Sequence, residues 1–488
     1  MLDDFSADEI GSFINGSRYR SDEQSDVVSP HTGQKIATLH HANSKIVSDA
    51  VEIAKKAQIA WANTPAVQRG TILHKACNLI EERAQELSEV VALESGKSIQ
   101  SAMGETTGSV LCGRFFAGEG QRLFGRTMPS GSLNKSAMTV RQPCGVAALI
   151  SAANTPAPNF AWKVFPALIC GNAVVLKPSE DTPLSADWMA RALVEAGVPA
   201  GVLNVIQGLG HEVGPSLCGH FDVDIISFTG STRVGREIAE RAGKDLKKVS
   251  LELGGKNAFI VCDDADISKA VHWASLSAFS NAGQRCASGS RFIIMDSVYD
   301  EFIEKFLSKA KSLTLGVEDN NDLGPVINLK QLNNMLTSLE RAVKEGAKIL
   351  CGGKRSDSNA LRDGYYLEPT IVEGSDPESH ISTTELFGPI AALYRVKDFE
   401  EAITLANASP YGLTGTIHTT NWDRAWTFTN RISTGVAVVN AGTFGSEPHM
   451  PFGGLRSSGN GTREPGTEAL DVYTELKDIY LITEPGRL

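Results

Sequence analysis

The feature that most limits how this chain can fold is the recurrence of short apolar runs, each bounded by Gly, Pro or Asn, with stretches of helical spacing between them. The runs 146–151, 173–176, 202–207, 225–229 and 258–261 have strand length, and 184–195 and 234–242 read as the helices that separate them. Such alternation predicts a parallel, doubly wound α/β sheet, because parallel neighbours need a long crossover and a helix is the usual one. A second set follows, with strands at 291–295, 366–372, 390–394 and 435–440 and helices at 298–310, 328–345 and 398–406, so a second α/β domain is expected. Two long helices precede both sets: 44–61, with Ser44 as its expected cap, and 67–94, with an apolar stripe through Leu73, Ile80 and Leu87. The polar, alternating stretch 124–141 and the short apolar run 479–482 are expected to pair as an exposed β-arm, and such an edge seeks another subunit.

Composition narrows the function. A chain of 488 residues is too long for one compact core and fits two or three domains. With 46 Lys and Arg against 57 Asp and Glu, its net charge is −11, and no basic run compensates, so a nucleic-acid partner is not expected. The partner is expected to be a small molecule or another copy of this chain. The stretch 144–176 is apolar but is interrupted by Asn154, Pro156, Pro158, Lys163 and Asn172, which a membrane span would not tolerate. The opening Met1-Leu-Asp-Asp places acids where a secretory signal carries positive charge, so a cytoplasmic location is expected. The eight cysteines stand singly, with no Cys-x-x-Cys pair, which argues against a disulfide framework or a metal site.

One of those cysteines is a candidate nucleophile. Cys286 lies in Asn281-Ala-Gly-Gln-Arg-Cys-Ala-Ser288, where Gly283 and small neighbours let a bound group come close and the adjacent Arg285 would favour a thiolate. By itself this segment fits a buried structural thiol better than a nucleophile. The segment Leu251-Glu-Leu-Gly-Gly-Lys-Asn257 adds a single acid at the end of an apolar strand, where desolvation would raise Glu252 toward the pKa of a general base.

Together these two segments resemble the NAD(P)-dependent aldehyde dehydrogenase superfamily. Further matches run in family order along nearly the whole chain: Phe13-Ile-Asn-Gly16, Lys177-Pro-Ser-Glu180, Phe228-Thr-Gly-Ser-Thr232 with Gly235, Glu385-Leu-Phe-Gly-Pro389 and Pro451-Phe-Gly-Gly454. The resemblance implies a Rossmann-type NAD-binding domain (1–123 and 144–254), a catalytic α/β domain (255–467) and an oligomerisation arm (124–143 and 468–488). It implies Cys286 as nucleophile, Glu252 as base, and Asn154 with the Cys286 N–H as donors to the oxyanion, the sequence being hemithioacetal, hydride transfer, thioester and hydrolysis. It further implies Lys177, Ser179 and Glu180 at the adenosine ribose, Gly230, Ser231 and Gly235 at the pyrophosphate, and Glu385 and Phe387 at the nicotinamide end. A carboxylate at 180 accepts ribose hydroxyls and repels a 2′-phosphate, so NAD is favoured over NADP. A homodimer or homotetramer is implied. The alternatives are a CoA-acylating member, against which Glu252 argues, and a non-catalytic member, which would have lost Cys286 or Glu252.

The chain departs from the family where Ala152-Ala153 replaces the usual Pro-Trp before Asn154, and Thr155-Pro-Ala-Pro-Asn-Phe160 follows it. These changes bear on cofactor contacts and on the width of the substrate pocket. Arg285 suggests a semialdehyde or other acidic aldehyde, although Trp162 stands where succinate-semialdehyde enzymes commonly have Arg. The helix near 112–118 and the loop 441–450, with Glu447 and His449, are expected at the pocket.

Overall fold

A computed structural model describes residue 2 and residues 5–485; the outermost ends of the expected first segment and arm, Met1, Asp3, Asp4 and 486–488, lie outside the described residues. Two seven-stranded sheets organise the rest. The first runs, edge to edge, through Lys248–Glu252, Ile225–Thr229, Val146–Ile150, Ala173–Lys177, Leu203–Val205, Ser12–Ile14 and Ser17–Tyr19. Its first five strands are parallel, and Ser12–Ile14 joins them antiparallel. Every residue of Val146–Ile150 and of Ala173–Lys177 is buried, which is why these strands read as unbroken apolar runs.

Chain order reverses at Val146–Ile150. Its neighbour on one side is the next strand in sequence, Ala173–Lys177, and on the other the later strand Ile225–Thr229. Crossovers therefore leave in opposite directions and open a crevice outside the carboxyl ends of these strands, the usual place for a ligand in such a sheet.

The second sheet runs Lys348–Cys351, Thr370–Glu373, Ile390–Val396, Gly289–Met295, Asn257–Val261, Thr414–His418 and Val436–Val439, parallel except for the first strand. The run 258–261, grouped above with the first set, opens this second sheet instead. Gly254 and Gly255 interrupt the chain after Glu252, and local periodicity says nothing about which sheet a strand joins.

Three other differences have local causes. The helix expected from Ser44 spans Ser44–Asn63, but its cap is Asn43, whose side chain accepts the Ile46 N–H. The expected helix 67–94 is two, Ala66–Glu82 and Ala84–Ser95, because Arg83 leaves helical dihedrals (φ −110°, ψ 27°) while the apolar stripe continues across it. The strand expected at 366–372 begins only at Thr370, since Pro369 has no N–H to extend the ladder.

The arm is a three-stranded antiparallel sheet of Thr127–Met128, Lys135–Pro143 and Thr474–Ile482, with Thr474 opposite Pro143 and Ile482 opposite Lys135. It exposes Leu476, Tyr480, Leu481 and Ile482. No helix among the described residues is long and apolar enough to cross a membrane, and no cluster of His, Cys, Asp and Glu among them is arranged to hold a metal.

Candidate active site

The strand Lys248–Glu252 delivers Glu252 to its carboxyl end, and Gly254-Gly255 turns the chain into Asn257–Val261 of the other sheet. The cysteine arrives from the opposite side. After the helix Ile267–Phe279 a single turn, Ser280–Gly283, holds Asn281 and Ala282 at φ 55° and 52°, a left-handed conformation that side chains disfavour. The two motifs then touch. A Cβ at Gly255 would lie 2.5 Å from the Cys286 carbonyl oxygen, so only glycine fits there. Asn257 Nδ2 donates to the same carbonyl at 2.7 Å and to that of Ser288 at 2.8 Å, fixing the loop that carries the thiol.

Cys286 is half-buried against Ala287, Leu413 and Phe452, with Trp162 and Phe444 beside it. Burial, then the carboxylates of Glu385 and Glu252, pushes its thiol up to about 12. The expected help from Arg285 is not what the geometry gives. Its guanidinium bonds to the Ser280 hydroxyl and stacks 4.8 Å from the Phe444 ring centre.

Glu252 is buried, and neither carboxylate oxygen has a hydrogen-bond partner. Burial raises its pKa well above the usual carboxylate range; Glu464 adds to the rise, and Lys163 and Arg463 oppose it. Lys163 and Glu464 form an ion pair at 2.8 Å, both side chains 1% exposed, and Glu464 also accepts the hydroxyls of Ser227 at 2.6 Å and Ser250 at 3.1 Å. None of these four belongs to a local sequence motif. Lys163 alone left a signal, as the one charge inside an otherwise apolar helix, Pro156–Ile169.

Asn154 Nδ2 donates to the Gln284 carbonyl at 2.8 Å, and its Oδ1 accepts from Asn159 at 3.1 Å, so its amide lies against the cysteine loop with one N–H to spare. Beside it opens a cavity of about 460 Å³, lined by Asn154, Trp162, Gln284 and Arg285 and by one face of the helix Ile99–Glu119. The part of that helix expected at the pocket was 112–118, but Cys112 is fully buried in the core, and Ser101, Gly104, Glu105 and Gly108 form the wall. Lys97 pairs with Glu105 and donates to the Asn154 carbonyl at 2.9 Å. From the loop 441–450, Ser446 and Pro448 reach the cavity; Glu447 and His449 are exposed and pair with each other at 3.9 Å.

The crevice of the first sheet holds the remaining candidates. Lys177 Nζ donates to Glu180 Oε2 at 2.9 Å and to the Pro178 carbonyl at 2.8 Å, and Glu180 Oε1 accepts the Gly210 N–H at 3.4 Å. Burial works against the Glu180 charge, but Lys177 together with backbone N–H donors, that of Gly210 among them, holds the carboxyl below its usual range. Ser179 accepts the Asp181 N–H in the same turn. Ser231 caps the helix Thr232–Lys244 by accepting the Val234 N–H. Gly230 and Gly235 have packing reasons to be glycine, since a Cβ would strike the Phe228 ring and the Leu253 side chain respectively. The Gly230 N–H also donates to the Glu252 carbonyl at 3.1 Å, which ties the crevice to the strand end that carries Glu252. Glu385 Oε1 accepts the Gly255 N–H at 2.9 Å, and burial raises its carboxyl to about 7. Phe387, at φ 54°, is two residues on. Lys256, also missed from sequence, is buried nearby, and its pKa is pushed down to about 7 by burial and then by Arg291.

This arrangement has close relatives. Residues 18–479 match the profile of the aldehyde dehydrogenase family. An alpha-ketoglutaric semialdehyde dehydrogenase of Bacillus subtilis is 36% identical, over 96% of this chain and 97% of its own. A succinate-semialdehyde dehydrogenase [NADP(+)] of Escherichia coli is 37% identical, over 93% and 94%. Betaine aldehyde dehydrogenase from Staphylococcus aureus, solved in complex with NAD+, superposes with a TM-score of 0.96 at 32% identity, over 99% of this chain and 96% of that one. The chain belongs to the aldehyde dehydrogenase family.

Proposed function

We propose that the protein oxidises an aldehyde to the carboxylic acid with NAD, through a thioester on Cys286. The observation that carries this reading is that Glu252 is left buried and unpartnered where its charge acts on the Cys286 thiol, while the Asn154 amide lies against the loop that carries that thiol. A polar group is seldom stranded in this way unless it has work to do with a ligand.

The Cys286 sulfur adds to the aldehyde carbon, and its proton leaves to solvent, so Glu252 is free to accept one later. The new oxyanion meets the spare Asn154 N–H and the Cys286 backbone N–H, donors worth about 3–4 kcal/mol each in comparable holes. The carbon then loses hydrogen with its electron pair, leaving the thioester. Bound NAD supplies the hydride acceptor. Glu252 next takes a proton from water, the hydroxyl adds to the thioester carbon, and the carbon–sulfur bond breaks to release the carboxylate and the free thiol.

The residues present fit a dinucleotide at the crevice. Lys177 and Glu180 would hold the adenosine ribose, with Ser179 shaping their turn. Gly230, Ser231 and Gly235 would set the helix end at the pyrophosphate, and Glu385 and Phe387 would meet the nicotinamide end. Glu180 stays ionised and so disfavours a 2′-phosphate. That reading separates this chain from the NADP-named relative of Escherichia coli. Residues 1–123 and 144–254 then form the nucleotide-binding part and 255–467 the catalytic part. The exposed apolar arm joins copies of the chain into a dimer or tetramer in the cytoplasm. Arg285 in the cavity favours an aldehyde carrying an acidic group, and semialdehyde dehydrogenases among the relatives support it.

A panel of neutral and acidic aldehydes, assayed by NADH absorbance with NAD or NADP and with or without CoA, tests this. Activity with NAD and water alone, highest on acidic aldehydes, is expected. A requirement for CoA would overturn the hydrolytic reading, and a preference for NADP would overturn the role given to Glu180.

A further inference from the structure

Behind Asn154 stands a second asparagine that no motif marks. Asn159 lies in the first turn of the helix Pro156–Ile169, within the segment 155–160 where the chain departs from the family pattern, and is 8% exposed. Its Nδ2 donates to the Ala152 carbonyl and to Asn154 Oδ1, each at 3.1 Å, with Thr155 Oγ1 at 3.4 Å. A side-chain amide has one accepting and one donating end, so a reversed Asn154 would offer oxygen, not N–H, to an oxyanion. The partners set the direction. A carbonyl only accepts, so Ala152 requires the NH2 end of Asn159, and that NH2 in turn requires the oxygen of Asn154. At the other end, the Gln284 carbonyl accepts Asn154 Nδ2 at 2.8 Å. The backbone of Asn154 is held too, its carbonyl accepting from Lys97 Nζ at 2.9 Å and Asn281 Nδ2 at 3.2 Å.

We infer that Asn159 is a positioning residue for the oxidation: by donating to Oδ1 it keeps the NH2 of Asn154 turned toward the Cys286 loop, so that the oxyanion donor is set before the aldehyde arrives. The inference rests on the oxyanion role proposed for Asn154 and adds the residue that orients it. Asn159 acts through Asn154 alone, on an oxygen that every aldehyde carries. Its loss therefore slows neutral and acidic aldehydes alike, and does nothing once the Asn154 amide is gone.

The test is the single-turnover rate of NADH formation, with full-length protein in excess over propanal or glutaric semialdehyde at saturating NAD. Thermal midpoints and NAD titration check that each variant is folded. Asn154→Ala should slow the step about 10²-fold or more. Asn159→Leu, similar in size to the native side chain, should slow it about tenfold on both aldehydes, and combining the two substitutions should be no slower than Asn154→Ala alone. Asn159→Ala should be faster than Asn159→Leu, because the space it opens is bordered by the Ala152 carbonyl, Asn154 Oδ1 and Thr155 Oγ1 and admits a water that donates to Asn154. The same fold loss from Asn159→Leu with and without the Asn154 amide, or an Asn159→Ala variant slower than Asn159→Leu, would mark a packing role and overturn the inference. A folded Asn159→Leu as fast as wild type, beside a slow Asn154→Ala, overturns the inference alone. An Asn154→Ala variant as fast as wild type, or a wild type inert toward both aldehydes, overturns the proposed oxyanion role and the inference with it.

Discussion

At the crevice of the first sheet, Glu180 is paired with Lys177 at 2.9 Å, accepts a backbone N–H and is held below the usual carboxylate range. At the cysteine, Glu252 has no partner for either oxygen, and burial drives it well above that range; Glu385 rises to about 7 beside it. The same residue type is built for two tasks. A paired carboxylate keeps its charge and its geometry, which suits recognition of a ligand. A buried, unpaired one holds its proton more tightly than an ordinary carboxylate and has no partner to give up, which suits proton transfer. The Lys163–Glu464 pair belongs with the first kind in its geometry: Glu464 has the Lys163 ammonium and the hydroxyls of Ser227 and Ser250 as partners inside the core.

This contrast predicts a graded series of effects. Cys286→Ala removes the group on which the chemical half acts, and NADH formation should fall by about 10⁴-fold or more for every aldehyde, as read by absorbance. Glu252→Gln should lower steady-state turnover by about 10²–10⁴-fold while a first-turnover burst of NADH survives, which stopped-flow absorbance resolves. Lys163→Met leaves Glu464 buried and unpaired, and urea unfolding should show a loss of about 3–5 kcal/mol. Adding Glu464→Gln should recover much of it. On the recognition half, Glu180→Gln should weaken NAD binding only about tenfold, near 1.4 kcal/mol, and narrow its advantage over NADP, as measured by titration.

The smallest expected effect is on stability against pH. Glu385 binds its proton more tightly folded than unfolded, so the folded state holds more protons, and stability falls as pH rises from the ordinary carboxylate range through about 7. Asp264, held down to about 2 by its threonine and backbone donors against the effect of burial, has the opposite sign and loses its contribution only as pH falls through that value. The thermal midpoint should therefore drop between about pH 5 and pH 7, and Glu385→Gln should make that decline shallower.

Much of this was legible in the sequence, unevenly. Continuous apolar runs such as 146–151 and 173–176 are what central parallel strands require, and they fell within a residue of the observed strands. The placement of 258–261 did not, because sheet membership is a long-range property. Arg83 breaks a helix without disturbing its stripe, and Pro369 shortens a strand through a missing donor. In the proposed site, the residues read from motifs sit in dense local patterns. Lys163 and Glu464 do not, since their significance comes from partners far away in sequence, and Lys256, though inside such a pattern, owes its lowered pKa to burial and to Arg291. Arg285 was placed correctly beside Cys286 along the chain, but only coordinates show its guanidinium turned toward Ser280 and Phe444.

The central claim is that Glu252 acts on a thioester held by Cys286. Mass analysis of peptides from Glu252→Gln protein, quenched with acid soon after mixing with NAD and aldehyde, tests it most directly. The account predicts that the peptide containing Cys286 carries the mass of the acyl group in near-stoichiometric yield, absent when NAD is left out. An unmodified Cys286 peptide during turnover, or an acyl group on another residue, would contradict it.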